Sequence, residues 1–374
     1  MKRVCYVMPA SALRRPIKEL LAQKTRKQER GLLIPTLAGK RQRSPIPGVT
    51  IHTYRAISLP FSPFEWPIPS PRFFIEALRV LRSYDVIHVY AHFYLTNLLL
   101  FFLALFYPKK RVILTIDVLP GYSASFGILI DTLFRVYTWT LCRLLYWRAD
   151  VVTLYGKALV PAALRSGIAK RKITVLPTGI LPLSVNSTKT RSSITKHLGI
   201  ASASSLVTYV GFLNPRKRVQ DLITIAAAMP TVHFLIIGSG PHQRILANQI
   251  RERGLTNVHL LDYRDDAQAI IAASDVFLFP SSVEGLPGAV MESMLVGTPV
   301  VTTRIPCTTD LITDGKEGFL CAVGDTVAMR RRVEELLANK TLATRFAAAA
   351  QKKIRRDYSW QHLKSRYDAL YEAA

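Results

Sequence analysis

The chain is short of cysteine, of acid and of uninterrupted apolar runs. Among its 374 residues are only Cys5, Cys142, Cys307 and Cys321, scattered with no C-x-x-C pair. That pattern suggests neither a zinc site nor a disulfide framework and predicts buried thiols in a reducing compartment. No long low-complexity tract appears and 49% of the residues are hydrophobic, so the chain is expected to fold throughout. Its length predicts two domains. The N-terminal "MKRVCYVMPASALRR" has too short an apolar run for a signal-peptide core, and a non-secreted protein is expected.

The longest apolar runs stop short of a membrane span. "LTNLLLFFLALFYP", residues 95–108, falls below the roughly 20 residues a spanning helix needs and predicts a buried helix. "FGILIDTLFRVYTWTLCRLLYWRAD", residues 126–150, is long enough but contains Asp131, Arg135 and Arg143. Each would cost about 2.5–3.5 kcal/mol at a bilayer centre. It reads as one amphipathic helix, packed on the core or lying on a membrane.

Acid is scarce and unevenly placed. Lys and Arg number 50 against 25 Asp and Glu, a net charge of +25, and residues 1–180 hold 27 of the bases but only 8 of the acids. A field of that kind attracts nucleic acid, an anionic membrane face or phosphorylated small molecules. The run "KTRKQER" has no interleaved aromatics for stacking bases, and no helix-turn-helix, zinc-finger or RNP pattern is present. No nucleic-acid partner is expected.

What the sequence does have is rhythm. From about residue 205, "SLVTYVG", "VHFLIIG", "NVHLLDY", "DVFLFPS" and "TPVVTTR" alternate with helical stretches such as "VQDLITIAAAM" and "GAVMESMLVG". Apolar strands alternating with helices predict a doubly wound parallel sheet. The first half repeats this with "KRVCYVM", "VTIHTY", "DVIHVYA", "RVILTI", "ADVVTLY" and "KITVLP", and "PTGILPLSVNSTKTRSS" reads as the linker. The expected fold class is α/β, with Rossmann-like domains at 1–185 and 186–355 and a C-terminal helix at 356–374. In such sheets ligands bind beyond the carboxyl ends of the strands.

One stretch at such an end carries chemistry. "PSSVEGLPGAVMESM" places Glu284 and Glu292 on either side of a Gly-Leu-Pro-Gly turn, where a strand gives way to a helix. A helix N-terminus offers backbone N–H groups and a favourable dipole to phosphate, while carboxylates accept from hydroxyls. The pairing suits a nucleotide sugar. Taken alone, two acids near a helix start are usually a cap or surface charge, and a lysine in "NPRKR" a solvated one. It is their occurrence in order with other motifs that points to a ligand.

Those motifs carry a resemblance. "EGLPGAVMESMLVGTPVV", with its E-x7-E spacing, together with "YVGFLNPRKRVQDLI", "LIIGSGP", "DGKEGFLC" and "DYSWQHLKSRYDALY", resembles family 4 glycosyltransferases of the GT-B fold over most of residues 205–370. The resemblance implies two Rossmann-like domains facing across a cleft, a nucleoside-diphosphate sugar donor and retention at the anomeric carbon. It implies that Glu284 lies beside the transferred sugar, Glu292 on the ribose, and Gly285, Leu286 and Pro287 against sugar and phosphate. Lys217 would neutralise the leaving diphosphate. Gly238 and Gly240 would form the nucleotide-side turn. Where the family commonly has an arginine this chain has Phe212, and Arg216 or Arg218 is expected to supply that charge. In the first domain the match thins: "MPASALRRP" replaces a Gly-rich loop, and Asp117 stands near an expected histidine. Asp117 could orient an acceptor hydroxyl, act as a base, or cap the turn before Pro120.

The implied acceptor is a glycan or a lipid-phosphate-linked sugar, with no cofactor and no metal. The basic segments "RRPIKELLAQKTRKQER" and "GKRQRSP" suggest an anionic membrane surface, each Lys or Arg near such a leaflet contributing about 1 kcal/mol. A cytoplasmic enzyme peripheral on the inner face is therefore expected, with a non-catalytic nucleotide-sugar-binding scaffold and a nucleic-acid binder as alternatives.

Overall fold

The computed structural model describes residues 2–9, 15–22, 28–37, 46–58, 67–123, 125, 127–182 and 184–372. Segment 39–45, residues 14 and 23–27 of the other basic segment, and residues 10–14 of the loop after the first strand lie outside the described residues. The chain divides into two compact units, Met1–Gly179 with Trp360–Ala374, and Ile180–Ser359. The division falls at 179/180 instead of near 185, and the C-terminal helix belongs to the first unit.

The first unit is built on eight strands: β1 (Lys2–Val7), β2 (Gln28–Leu37), β3 (Val49–Ser58), β4 (Pro67–Pro69), β5 (Val86–Tyr90), β6 (Arg111–Ile116), β7 (Val151–Leu154) and β8 (Ile173–Val175). Their order is β4-β3-β2-β1-β5-β6-β7-β8, parallel except for β3 with β4. Central strands such as β5 are buried at every residue, which is why they read as continuous apolar runs. The strand β2 is missing from the sequence-based list because Gly31 and Pro35 interrupt it. Pairing of β1 with β2 ends at Leu33, so Pro35 sits where β2 has β3 as its only neighbour, and no ladder donor is lost on the other side.

The C-terminal helix Trp360–Glu372 packs its Trp360, Leu363, Tyr367 and Tyr371 into the core with Val4, Tyr6 and Val86. Polar bonds fix it. Trp360 Nε1 donates to Glu19 Oε2 at 2.9 Å, Tyr367 OH to the Pro177 carbonyl at 3.2 Å, and Tyr371 OH lies 2.9 Å from His88 Nδ1. Beyond His88, a buried line of hydroxyls continues through Thr115 (2.6 Å) to Thr153. Arg30, counted among the basic run, is buried and donates to the Leu20 and Leu21 carbonyls at 3.2 and 2.7 Å, closing helix Arg15–Ala22. Its charge serves that helix end and not a surface.

The second unit holds β9 (Ser205–Val210), β10 (Val232–Ile237), β11 (Val258–Leu261), β12 (Val276–Phe279), β13 (Val300–Thr303) and β14 (Phe319–Cys321). All are parallel in the order β11-β10-β9-β12-β13-β14. Side chains alternate between two cores: Val207, Tyr209, Phe234 and Ile236 join one, Leu206, Leu235 and Ile237 the other. Both faces are therefore covered, as a doubly wound sheet requires. From β9 the chain winds outward through β10 and β11, then returns to β12 and winds the other way. The switch point lies between β9 and β12, where open α/β sheets hold their ligands.

Candidate functional site

Two loops leave that switch point. The loop from β9 runs through Gly211 and Phe212 into a short turn, Pro215–Lys217, closed by Asn214, whose side chain accepts from the Lys217 N–H at 3.2 Å. The loop from β12 runs through Ser281 and Ser282 to Glu284. The two are stitched together by the Arg216 carbonyl, which accepts from Ser282 N at 2.8 Å and from the Ser281 and Ser282 hydroxyls at 3.2 and 3.0 Å. Thr302 Oγ1 donates to the Phe279 carbonyl at 2.8 Å and Thr303 Oγ1 to that of Ser281, so β13 fixes the end of β12. Spacing in the sequence gave no sign of these serines and threonines.

This stitching brings Lys217 and Glu284 together across 67 positions of sequence. Lys217 Nζ donates to Glu284 Oε1, with side chains only 17% and 11% exposed. Ser281 Oγ donates to the same oxygen at 2.6 Å. The ammonium also lies 5.2 Å from the centre of the Phe279 ring, a favourable place for a cation. Below it, burial and the Glu284 charge hold the Tyr209 phenol well above its ordinary range, so it stays neutral. The arrangement keeps a cation and an anion half-desolvated at a strand end, where either can exchange its partner for a charged ligand at little net cost.

Gly285 and Pro287 are buried and Leu286 half-buried in the turn that follows. Helix Gly288–Val296 then begins with no side-chain cap, and a Cβ at Gly288 would meet nothing within 4 Å. Its first-turn N–H groups and dipole are available to an anion. Glu292 stands one turn into this helix, 9% exposed, and accepts from Gln268 Nε2 at 3.3 Å. Gln268, in helix Ala267–Ala272, is a second residue the sequence patterns did not flag.

Gly238 and Gly240 have a definite job. A Cβ on Gly238 would lie 2.0 Å from the Gly211 carbonyl oxygen, and one on Gly240 2.3 Å from that of Leu213. Their absence lets the β10 turn press against the β9 loop, which it holds through Leu213 N to Ser239 O (2.9 Å) and His242 N to Leu213 O (3.0 Å). The glycines thus position Lys217 from behind.

The remaining expected residues fall as follows. Phe212 is 55% exposed. Arg218, in the left-handed region at φ 50°, is engaged by Asp221 through two bonds of 2.7 and 3.1 Å, and Arg216 stands in the short turn Pro215–Lys217. In the first unit, Asp117 follows β6, and the turn at Pro120 beyond it is closed by Ser123, whose Oγ accepts from the Leu119 N–H at 2.9 Å. The Asp117 charge acts on His92, which is 1% exposed with no hydrogen-bond partner among the described residues at either ring nitrogen. Burial pulls the His92 pKa down to about 4, and Asp117 opposes that shift. His92 follows β5, beside the first unit's own switch point between β1 and β5, and was another position the motifs passed over. Among the described residues no group of three or more His, Cys, Asp or Glu could hold a metal ion.

Residues 190–353 match the family model described as Glycosyl transferases group 1. Among curated proteins, the lipopolysaccharide core biosynthesis glycosyltransferase LpsE of Rhizobium meliloti (strain 1021) is 29% identical over 163 residues, 43% of this chain and 48% of that one. The N-acetyl-alpha-D-glucosaminyl L-malate synthase of Bacillus anthracis is 24% identical over 184 residues, 48% of each. The chain spans about half the length of the curated relatives it matches. Among solved structures, Anabaena HepE in complex with UDP and glucose superposes with a TM-score of 0.79 at 16% identity, covering 100% of both chains. A sucrose-phosphate synthase from Thermosynechococcus elongatus gives 0.75 at 17%, covering 100% of this chain and 99% of that one. The fold is GT-B.

Proposed function

We propose, from the match of residues 190–353 to the model for glycosyl transferases group 1, that the protein moves a sugar from a nucleoside-diphosphate donor to a glycan or lipid-linked acceptor, with retention, in the manner of family 4. The observation that carries the reading is the Lys217–Glu284 pair at the β9/β12 switch point, beside the uncapped helix that bears Glu292. In this reading the donor diphosphate takes Lys217 and the N–H groups of helix Gly288–Val296. Glu284, released from Lys217, accepts from sugar hydroxyls, and Glu292 from the ribose.

The acceptor oxygen bonds to the anomeric carbon on the face from which the diphosphate oxygen departs. Its proton passes to a diphosphate oxygen, and the electron pair of the broken bond leaves with the diphosphate. Lys217 and the helix N-terminus meet that growing charge, a role that elsewhere falls to a metal, and the reaction is metal-independent. No enzyme nucleophile takes part. Asp117 orients the acceptor hydroxyl. The protein works at the cytoplasmic face of the membrane as a peripheral enzyme; among the described residues no helix is long and apolar enough to cross a membrane.

Thermal stabilisation by a panel of nucleoside diphosphates and their sugars tests the donor site, since a ligand selective for the native state raises apparent stability. UDP and UDP-glucose come first because HepE was solved with them. One base should stabilise wild type and lose most of its effect in Glu292→Ala. No stabilisation by any nucleotide would end the proposal.

A further inference from the structure

Residues 126–150 do not form the single helix their periodicity predicts. Two helices, Ile128–Thr140 and Cys142–Arg148, meet at Leu141. The first buries Asp131, Phe134 and Thr138 and turns the rest outward: Ile128 is 90% exposed, Leu129 74%, Leu133 61%, Val136 57% and Trp139 52%. Leu141 and, on the second helix, Trp147 are exposed as well. A core-facing helix hides its apolar stripe; this one presents it to the outside.

The threonine hydroxyls on that outer face are already satisfied within the protein. Thr132 and Thr140 donate their hydroxyls to the Ile128 and Val136 carbonyls at 2.8 and 2.7 Å. Arg135 Nε donates to the Gly121 carbonyl at 2.8 Å, and the Arg143 guanidinium lies 5.0 Å from the Trp139 ring centre. The hydroxyls would therefore not be left unpaired in an apolar medium, while the long Arg135 and Arg143 side chains can keep their charged ends at the lipid headgroups. The surroundings are basic. Residues 86–172 hold eleven Lys and Arg against three acids, Asp117, Asp131 and Asp150. Asp131 is buried and bonded by Ser125, and Asp150 is paired with Arg148.

We propose that the outer face of helix Ile128–Thr140, with Leu141 and Trp147, is the surface by which the protein enters an anionic lipid leaflet, lying in the plane of the interface. The proposal rests on the peripheral-membrane reading above and gives it a different seat: an apolar helix face that inserts, with the basic segments adding long-range attraction. Two exposed tryptophans and the excess of Lys and Arg in residues 86–172 fit an anionic lipid interface. A second copy of this chain would bring two strongly positive surfaces together.

Flotation with vesicles of phosphatidylcholine containing phosphatidylglycerol, and with phosphatidylcholine alone, tests this on wild type and on Leu133→Asp/Val136→Asp. Wild type should float with the anionic vesicles, with tryptophan emission shifting to the blue. The double variant should lose roughly tenfold or more of that binding while its thermal stabilisation by the donor nucleotide stays as in wild type. Retained nucleotide response with no vesicle binding by wild type, or equal binding by the variant, overturns the docking face and leaves the donor site standing. A wild-type dimer in sedimentation that the variant converts to monomer would assign the face to self-association and also overturn it.

Discussion

Replacing Gly238 by alanine should damage the donor site without removing any side chain that binds the donor. The new Cβ would stand 2.0 Å from the Gly211 carbonyl oxygen, where real contacts stop near 3.0 Å, at a backbone φ of 140°. Neither atom can swing away, so the β10 turn and the β9 loop must part by roughly an ångström. Backbone strain costs about 1–3 kcal/mol, and weakening the bonds Gly211 N to Ile237 O and Leu213 N to Ser239 O, of 3.0 and 2.9 Å, adds about 0.5–1.5 kcal/mol each. A total near 3 kcal/mol corresponds to a fall in Tm of about 6–12 °C for a unit of this size. Gly254 is the control. It too has positive φ, 61°, but a Cβ there meets nothing within 4 Å, so Gly254→Ala should cost about 1 kcal/mol, or about 2–4 °C. Calorimetry with and without donor nucleotide reads both effects, and only Gly238→Ala should also weaken nucleotide binding, by roughly tenfold or more. Equal effects of the two substitutions would refute the claim that the β10 turn positions Lys217.

Other consequences can be checked together. Lys217→Met should lower kcat/KM by about 10²–10³, since a group stabilising leaving-group charge contributes about 2.7–4 kcal/mol to the transition state; steady-state kinetics at saturating acceptor measures it. Arg218→Ala should act on stability, because it strips the buried Asp221 of its partner, and should change donor KM less than tenfold, as denaturant melts and kinetics would separate. His88 and His92 carry pKa values drawn down to about 3 and about 4 by burial. The unfolded chain therefore binds protons first, and stability present above about pH 6.5 falls as the pH drops toward 4, by about 1.4 kcal/mol per pH unit for each histidine. His92→Leu should make that slope shallower by one such increment. A chelator should leave turnover unchanged.

The sequence carried the sheets well and the site in part. Strands buried on both faces announce themselves as apolar runs, and the E-x7-E turn could be read because a strand end, a Gly-Pro turn and a helix start are all local. Four features were not local. The strand β2 tolerates Pro35 only because β1 ends before it, a fact of register. That Lys217 belongs to Glu284 depends on how loops from two strands are sewn together by Ser281, Ser282 and Thr303. Periodicity joined helices Ile128–Thr140 and Cys142–Arg148 into one and could not say which face was buried, because apolar residues ring the segment and Asp131 lies on its buried side. His92 was passed over because its meaning comes from burial beside the β1/β5 switch point, and not from any neighbour in sequence.

The most direct test of the donor-site assignment is a crystal structure with the stabilising nucleoside diphosphate bound. The diphosphate should lie against Lys217 and the N-terminus of helix Gly288–Val296, with the ribose on Glu292 and the Lys217–Glu284 pair separated. Nucleotide bound elsewhere, for instance beside Arg191 and Lys340 where Asp275 already pairs with both, or bound with that pair intact, would contradict it.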